Sequence, residues 1–229
     1  MINKDLNKYL KEVKNKVDIT PKNASSQRRL IKQRYSFSEK PLSEQLIIWD
    51  YIWNNSYDFW ICMQAFLFLE SKMKDREFLL NSWDIIKKWQ NTVDNWGKCD
   101  ALSKIYTKIL EIVPEKVLKQ LLQWSKSKKL WDKRQSLISL LYFSMTKKVV
   151  LSFDSMIYLV NKLVNDQEYY VQKAVGWTLK ELYNVYPIET IQYLENKIRD
   201  ISSIAFTIAI EKLDKKEKER LKNIRKSSR

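Results

Sequence analysis

Only two of the 229 residues are glycine and four are proline, and no other feature limits the fold so severely. Strands must be joined by turns, and tight turns draw heavily on glycine and proline, which this chain hardly contains. A β-rich fold is therefore excluded, and helices joined by short connections remain. Three of the four prolines fit that reading as helix starts, in "KPLSEQLIIWDYIW", "VPEKVLKQLLQW" and "YPIETIQYLENKI". A proline in the first helical turn sacrifices an N–H that has no intrahelical partner anyway. After Pro114, Val117, Leu118, Leu121, Leu122 and Trp124 recur at helical spacing and form one apolar stripe. The run 18–30, "DITPKNASSQRRL", reads as the one long loop, separating a first helix from the main body.

The chain is also self-similar. Aligning "DFWICMQAFLFL", "DNWGKCDALSKI", "KLWDKRQSLISL" and "EYYVQKAVGWTL" places aromatic residues at Trp60, Trp96, Trp131 and Tyr170, spaced by 36, 35 and 39 residues. Five positions later stand Ala65, Ala101, Ser136 and Val175. A period of this length carried by paired helices is the signature of an all-α solenoid of HEAT-like repeats. The expected architecture is one domain over residues 1–229, with a divergent helical segment at 1–34 and a basic tail at 212–229. Second helices of successive pairs would line a concave face. The aromatic anchors read as core residues of the stack. Three and four positions after them run Met63, Cys99, Arg134, Lys173 and Gln64, Asp100, Gln135, Ala174. If that register faces the groove, its cations suit a phosphodiester backbone.

Charge narrows the partners. The net charge is +15, with +7 in residues 1–34, +6 in residues 212–229 and only +2 between them. Such a field favours a polyanion, although basic termini can equally be solvated ends. The tail "KLDKKEKERLKNIRKSSR" reads most simply as a frayed amphipathic helix end, and a secondary DNA contact is the second choice. The chain has no histidine, so His-dependent triads and most zinc sites are excluded, and Cys62 and Cys99 lack ligand spacing. Two lone thiols fit a reducing compartment. The N-terminus lacks the apolar stretch of a signal peptide, and the longest apolar run, 60–69, is about half a membrane span. These features set the expectation of a soluble, cytoplasmic protein without metal or cofactor and with no membrane partner. A solenoid with capped ends is expected to be a monomer.

The runs "NWGKCDALS" (95–103), "LWDKRQSLISLLYF" (130–143) and "EYYVQKAVGWTLKELYNVYP" (168–187) resemble the HEAT-like-repeat DNA alkylation-repair glycosylases, the AlkD family. The resemblance spans about residues 42–200 and fades at both ends. It implies a DNA glycosylase of the 3-methyladenine and 7-methylguanine type, a hydrolase that excises cationic N3- or N7-alkylated purines from double-stranded DNA. A charged base already leaves well, so the protein must mainly stabilise an oxocarbenium-like sugar and place a water. That requires a carboxylate and no metal. By the resemblance, Asp100 matches the catalytic carboxylate, Trp96 and Trp177 match the aromatics at the deoxyribose, and Arg134 matches a phosphate-contacting arginine. Trp96 lies four residues before Asp100, on the same helical face. Lys173 and Lys180 flank Trp177 at −4 and +3 and would add DNA-backbone contacts. Tyr9 is a further position for an N-terminal substrate contact. The chain departs from the family pattern in placing Asn95 and Gly97 beside Trp96, and in lacking a glycine in the turn at "VDITP".

By themselves these residues have plainer readings. Asp100 could be a surface or capping aspartate, Arg134 an intra-solenoid ion pair and Lys180 a solvated lysine. Gly97 and Gly176, each beside a tryptophan, would admit either a close DNA backbone or a close helix. A non-catalytic solenoid that binds DNA or a protein is the alternative to the enzyme. Asp100 separates the two, because a carboxylate facing phosphates would only weaken a pure binder.

Overall fold

The computed structural model describes residues 2–140 and 151–228. The end of the run 130–143 therefore lies outside the described residues. Every regular element among them is helical, as the shortage of turn residues requires. The chain forms two compact units, one ending at Ile112 and the other starting at Val113.

The first unit contains α1 (Ile2–Asp18), α2 (Ala24–Lys32), α3 (Leu42–Asn54), α4 (Phe59–Ser71), α5 (Arg76–Ile86), a 3-10 helix (Lys87–Thr92) and α6 (Trp96–Leu110). Helix α4 packs against α1, α2, α3 and α6, which is why its residues 61–69 are apolar on every side and all buried. The exception is Gln64, fully buried and fully used. Its Oε1 accepts from Tyr35 Oη at 3.1 Å, and its Nε2 donates to Gln27 Oε1 at 2.6 Å. This network holds α2 on α4. It also corrects the loop expected at 18–30, because α2 starts at Ala24. Asn23 caps α2 by accepting the Ser26 N–H at 2.9 Å, and Ser26, Gln27 and Leu30 are buried.

In the second unit the helices are α7 (Pro114–Trp124), α8 (Leu130–Ile138), α9 (Phe153–Leu163), α10 (Tyr169–Leu182), α11 (Pro187–Asn196), α12 (Ser203–Ala209) and α13 (Lys215–Ser227). Pro114 and Pro187 occupy the first helical turn as expected, while Pro41 is the N-cap residue of α3. Within each unit the second helices stack on one another, α2 on α4 on α6, and α8 on α10 on α12. This is the repeat packing of an α-solenoid.

The repeat register is visible in these stacks. Trp60, Trp96, Trp131 and Tyr170 each stand at the first or second residue of a second helix, and Ala65, Ala101, Ser136 and Val175 are buried against neighbouring helices. The anchors themselves are not core, contrary to expectation. Trp96 is 57% exposed and the other three are half-buried. A side chain in the first turn of a stacked helix overhangs the end of the stack instead of entering it. The tryptophans that fill the core are Trp49, Trp53, Trp83, Trp89 and Trp124. Trp53 and Trp89 stack at 4.7 Å, and Trp89 Nε1 donates to Asp50 Oδ1 at 2.7 Å.

The basic tail is likewise not frayed. Helix α13 is capped by Asp214, which accepts the Glu217 N–H at 2.8 Å, and it buries Leu221 completely.

Candidate functional site

The first turn of α6 is fixed by its cap. Asn95 Oδ1 accepts the Lys98 N–H at 3.0 Å, and Lys98 is buried with its Nζ 3.2 Å from Asp94 Oδ1. Asn95 thus starts the helix that carries Trp96 and Asp100. With the cap in place, Trp96 is the first helical residue and Asp100 follows one turn later, half-buried. Lys104 continues the same face at i+8. Its Nζ lies 6.0 Å from the Phe66 ring centroid and 3.9 Å from Glu70 Oε1 on α4. Glu70 in turn accepts from Arg28 on α2, with Nη2 at 2.9 Å and Nε at 3.2 Å. One face of the first unit therefore joins α2, α4 and α6 through alternating charges, with an exposed indole and a carboxylate beside them. A cleft of about 190 Å³ opens between α2 and α4, walled by Phe59, Trp60, Met63 and Phe66 with Gln27 and Arg28. The Phe59 ring occupies the space beside Gly97, where a Cβ would come within 2.8 Å of it.

In the second unit, α10 carries Tyr169, Lys173, Trp177 and Lys180 at i, i+4, i+8 and i+11, so they form one stripe. Tyr169 is 53% exposed, and the Lys173 ammonium sits 5.4 Å from its ring centroid. Trp177 is half-buried. Lys180 Nζ pairs with Glu211 Oε2 at 2.8 Å. Arg134, on α8, is buried at 4% exposure, and its Nη1 donates to the Tyr170 carbonyl at 3.0 Å. In this conformation the guanidinium joins α8 to the first turn of α10 and presents little surface to a ligand.

The structure thus brings Trp96 and Asp100 together on α6 and Lys173, Trp177 and Lys180 together on α10. The register three and four residues after each anchor is mainly a packing register. Met63, Cys99, Gln64, Gln135 and Ala174 are buried, because a second helix stacked on both sides uses those positions against its neighbours. Only Asp100 and Lys173 in the two series stay partly exposed. Tyr9, half-buried on α1, packs edge-on to Phe37 at 5.0 Å.

Several residues escaped the sequence reading. Lys104 had a signal in its i+8 spacing from Trp96. Phe59 and Tyr169 each precede a repeat anchor directly. Glu70 and Arg28 had none, since their pairing spans 42 residues. Among the described residues no cluster of three or more His, Cys, Asp or Glu could hold a metal ion. No described helix is long and apolar enough to cross a membrane.

Comparison with known proteins adds a family. Residues 3–213 match the sequence model of a family described as DNA alkylation repair enzyme. Among solved structures, the fold is similar to a "Predicted DNA alkylation repair enzyme" from Enterococcus faecalis, with a TM-score of 0.66 and 16% identity over 84% of this chain and 87% of that one. It is also similar to AlkD2 from Streptococcus mutans, with a TM-score of 0.60 and 19% identity over 91% of this chain and 99% of that one. At these identities the structural likeness carries the fold alone. No curated protein matches the chain.

Proposed function

Because the chain belongs to the DNA alkylation repair enzyme family, we propose that it is a DNA glycosylase that hydrolyses the N-glycosidic bond of cationic N3- or N7-alkylated purines in duplex DNA. The observation that carries this reading is the α6 face. An indole 57% exposed stands one helical turn from a half-buried carboxylate, with a lysine one turn further on.

The chemistry follows from those groups. As the C–N bond breaks, the alkylated base leaves neutral and positive charge develops on the sugar. The role proposed for the Asp100 carboxylate is to stabilise that charge and to orient the attacking water, in the manner of carboxylates in glycoside hydrolysis. The Trp96 ring face, negative by its quadrupole, favours the same developing cation. Lys104 holds phosphate by charge. Departure of the base needs no metal or cofactor to activate it, since the leaving group carries the charge that makes it leave. For α10, the proposed role is DNA contact by Lys173, Trp177 and Lys180. Lys180 would exchange Glu211 for a phosphate, a small cost for an exposed pair. Arg134 would reach phosphate only after releasing the Tyr170 carbonyl, and its proposed contribution is to position α10.

The test is incubation of the protein with methylated duplex DNA and chromatographic separation of free 3-methyladenine and 7-methylguanine. Release of either base above the spontaneous rate is expected. Tight binding of this DNA with no release under single-turnover conditions would favour the non-catalytic solenoid.

A further inference from the structure

The family match ends at residue 213, one residue short of the cap of α13. The helix beyond it is strongly basic, with seven Lys or Arg against two Glu in 13 residues.

Part of that charge docks the helix. Leu221 is completely buried. Arg225 donates from Nη1 to the Ile198 carbonyl at 2.6 Å and from Nη2 to the Ile201 carbonyl at 2.7 Å, and its guanidinium lies 4.6 Å from the Phe206 ring centroid. Arg220 pairs with Glu195 and Glu217. These contacts give α13 a fixed orientation.

The remaining charge faces outward. Lys215, Lys218, Lys222 and Lys226 follow one another at spacings of three and four, hence on one face, over about 16 Å of helix. Lys215, Lys222 and Lys226 are exposed. Lys218 donates to the neutral Glu211 carbonyl at 2.8 Å, which leaves its charge uncompensated. Lys222 has only the exposed Glu219 pair at 3.5 Å, an interaction of little worth in water. Lys215 and Lys226 have no carboxylate partner among the described residues. Lys222 and Lys226 border an open cleft with Phe206 and Arg225.

We propose that α13 is a second polyanion-binding surface, which holds the phosphate backbone of duplex DNA by its lysine stripe. Over about 16 Å, B-DNA offers roughly ten phosphate charges, and four lysines on a docked helix meet them without first paying to order a tail. Helix α13 turns its buried leucine inward, so no apolar wedge is left to enter a bilayer, and nucleic acid is favoured over an anionic membrane. The choice of DNA as the polyanion rests on the family reading. The surface carries none of the residues assigned to base release.

The test uses the full chain and an undamaged 20-bp duplex, with affinity measured between 50 and 200 mM salt. The triple variant K215Q/K222Q/K226Q is expected to bind on the order of 100-fold more weakly at 0.1 M salt, with a salt slope smaller by about 2.7. A control that removes equal charge from the exposed Lys8, Lys11 and Lys14 of α1 is expected to change both far less. Three outcomes overturn the proposal: unchanged affinity and slope in the α13 variant, an equal loss in the control, or a loss confined to binding of phosphatidylserine vesicles. Thermal melting of both variants checks that they fold. Failure of the wild type to release methylated base would bear on the proposed glycosylase alone, because this assay uses undamaged DNA.

Discussion

Gly176 sits where α10 crosses α12, and a Cβ built there would lie 2.5 Å from the Ala205 carbonyl oxygen and 2.9 Å from its Cα. Those are backbone atoms and cannot move aside singly. Gly176→Ala is expected to cost about 1–3 kcal/mol, lowering the melting temperature by several degrees. At Gly97 the obstacle is the edge of the Phe59 ring, which can turn. There the gain in helix propensity, about 1 kcal/mol, roughly offsets the crowding, so Gly97→Ala should melt close to wild type. Equal losses at both sites would contradict this account. A second residue-scale prediction concerns Asp50. Burial raises its pKa above the ordinary carboxylate value, although hydrogen bonds from Trp89 and Asn54 and the charge of Lys88 oppose the rise. A raised folded-state pKa means that the folded chain binds the proton better. Stability from this group is therefore present at low pH and is lost as pH rises through the folded value. Asp50→Asn retains an oxygen for Trp89 and should gain stability relative to wild type between pH 4 and pH 8, as read from urea midpoints. A relative loss over that range would contradict the assignment.

At the scale of elements, what was legible depended on how local each cause is. The starts of α7 and α11 could be read because proline acts within its own turn. Helix α2 could not, since its buried face holds Ser26, Gln27 and a single leucine, and its place depends on Gln64, 37 residues away. The tail was misread for the same reason. Its docking depends on carbonyls of Ile198 and Ile201, which no local pattern announces. If α13 is a packed element, Leu221→Ala should cost about 2–4 kcal/mol at that contact. Amide exchange in residues 215–227 should then accelerate while α4 keeps its protection. Fast exchange of the wild-type helix would show a frayed end instead.

For the whole molecule, the repeat period was legible because stacking imposes it on every second helix. The fate of each repeated position was not. Anchors that looked like core residues overhang the helix starts, and Arg134, which looked like a groove cation, is spent between α8 and α10. Of the candidate site, the pairing of Trp96 with Asp100 was visible in a spacing of four, whereas the Arg28–Glu70–Lys104 chain existed only once α2, α4 and α6 had stacked. The proposed catalysis rests on Asp100. The direct measurement is single-turnover release of 7-methylguanine from methylated duplex DNA by wild type and Asp100→Asn, with affinity for the same duplex measured in parallel. The expected result is a rate lower by about 100-fold with affinity unchanged or tighter, since the substitution removes transition-state stabilisation and a carboxylate that repels phosphate. An Asp100→Asn protein that releases base at the wild-type rate would contradict it.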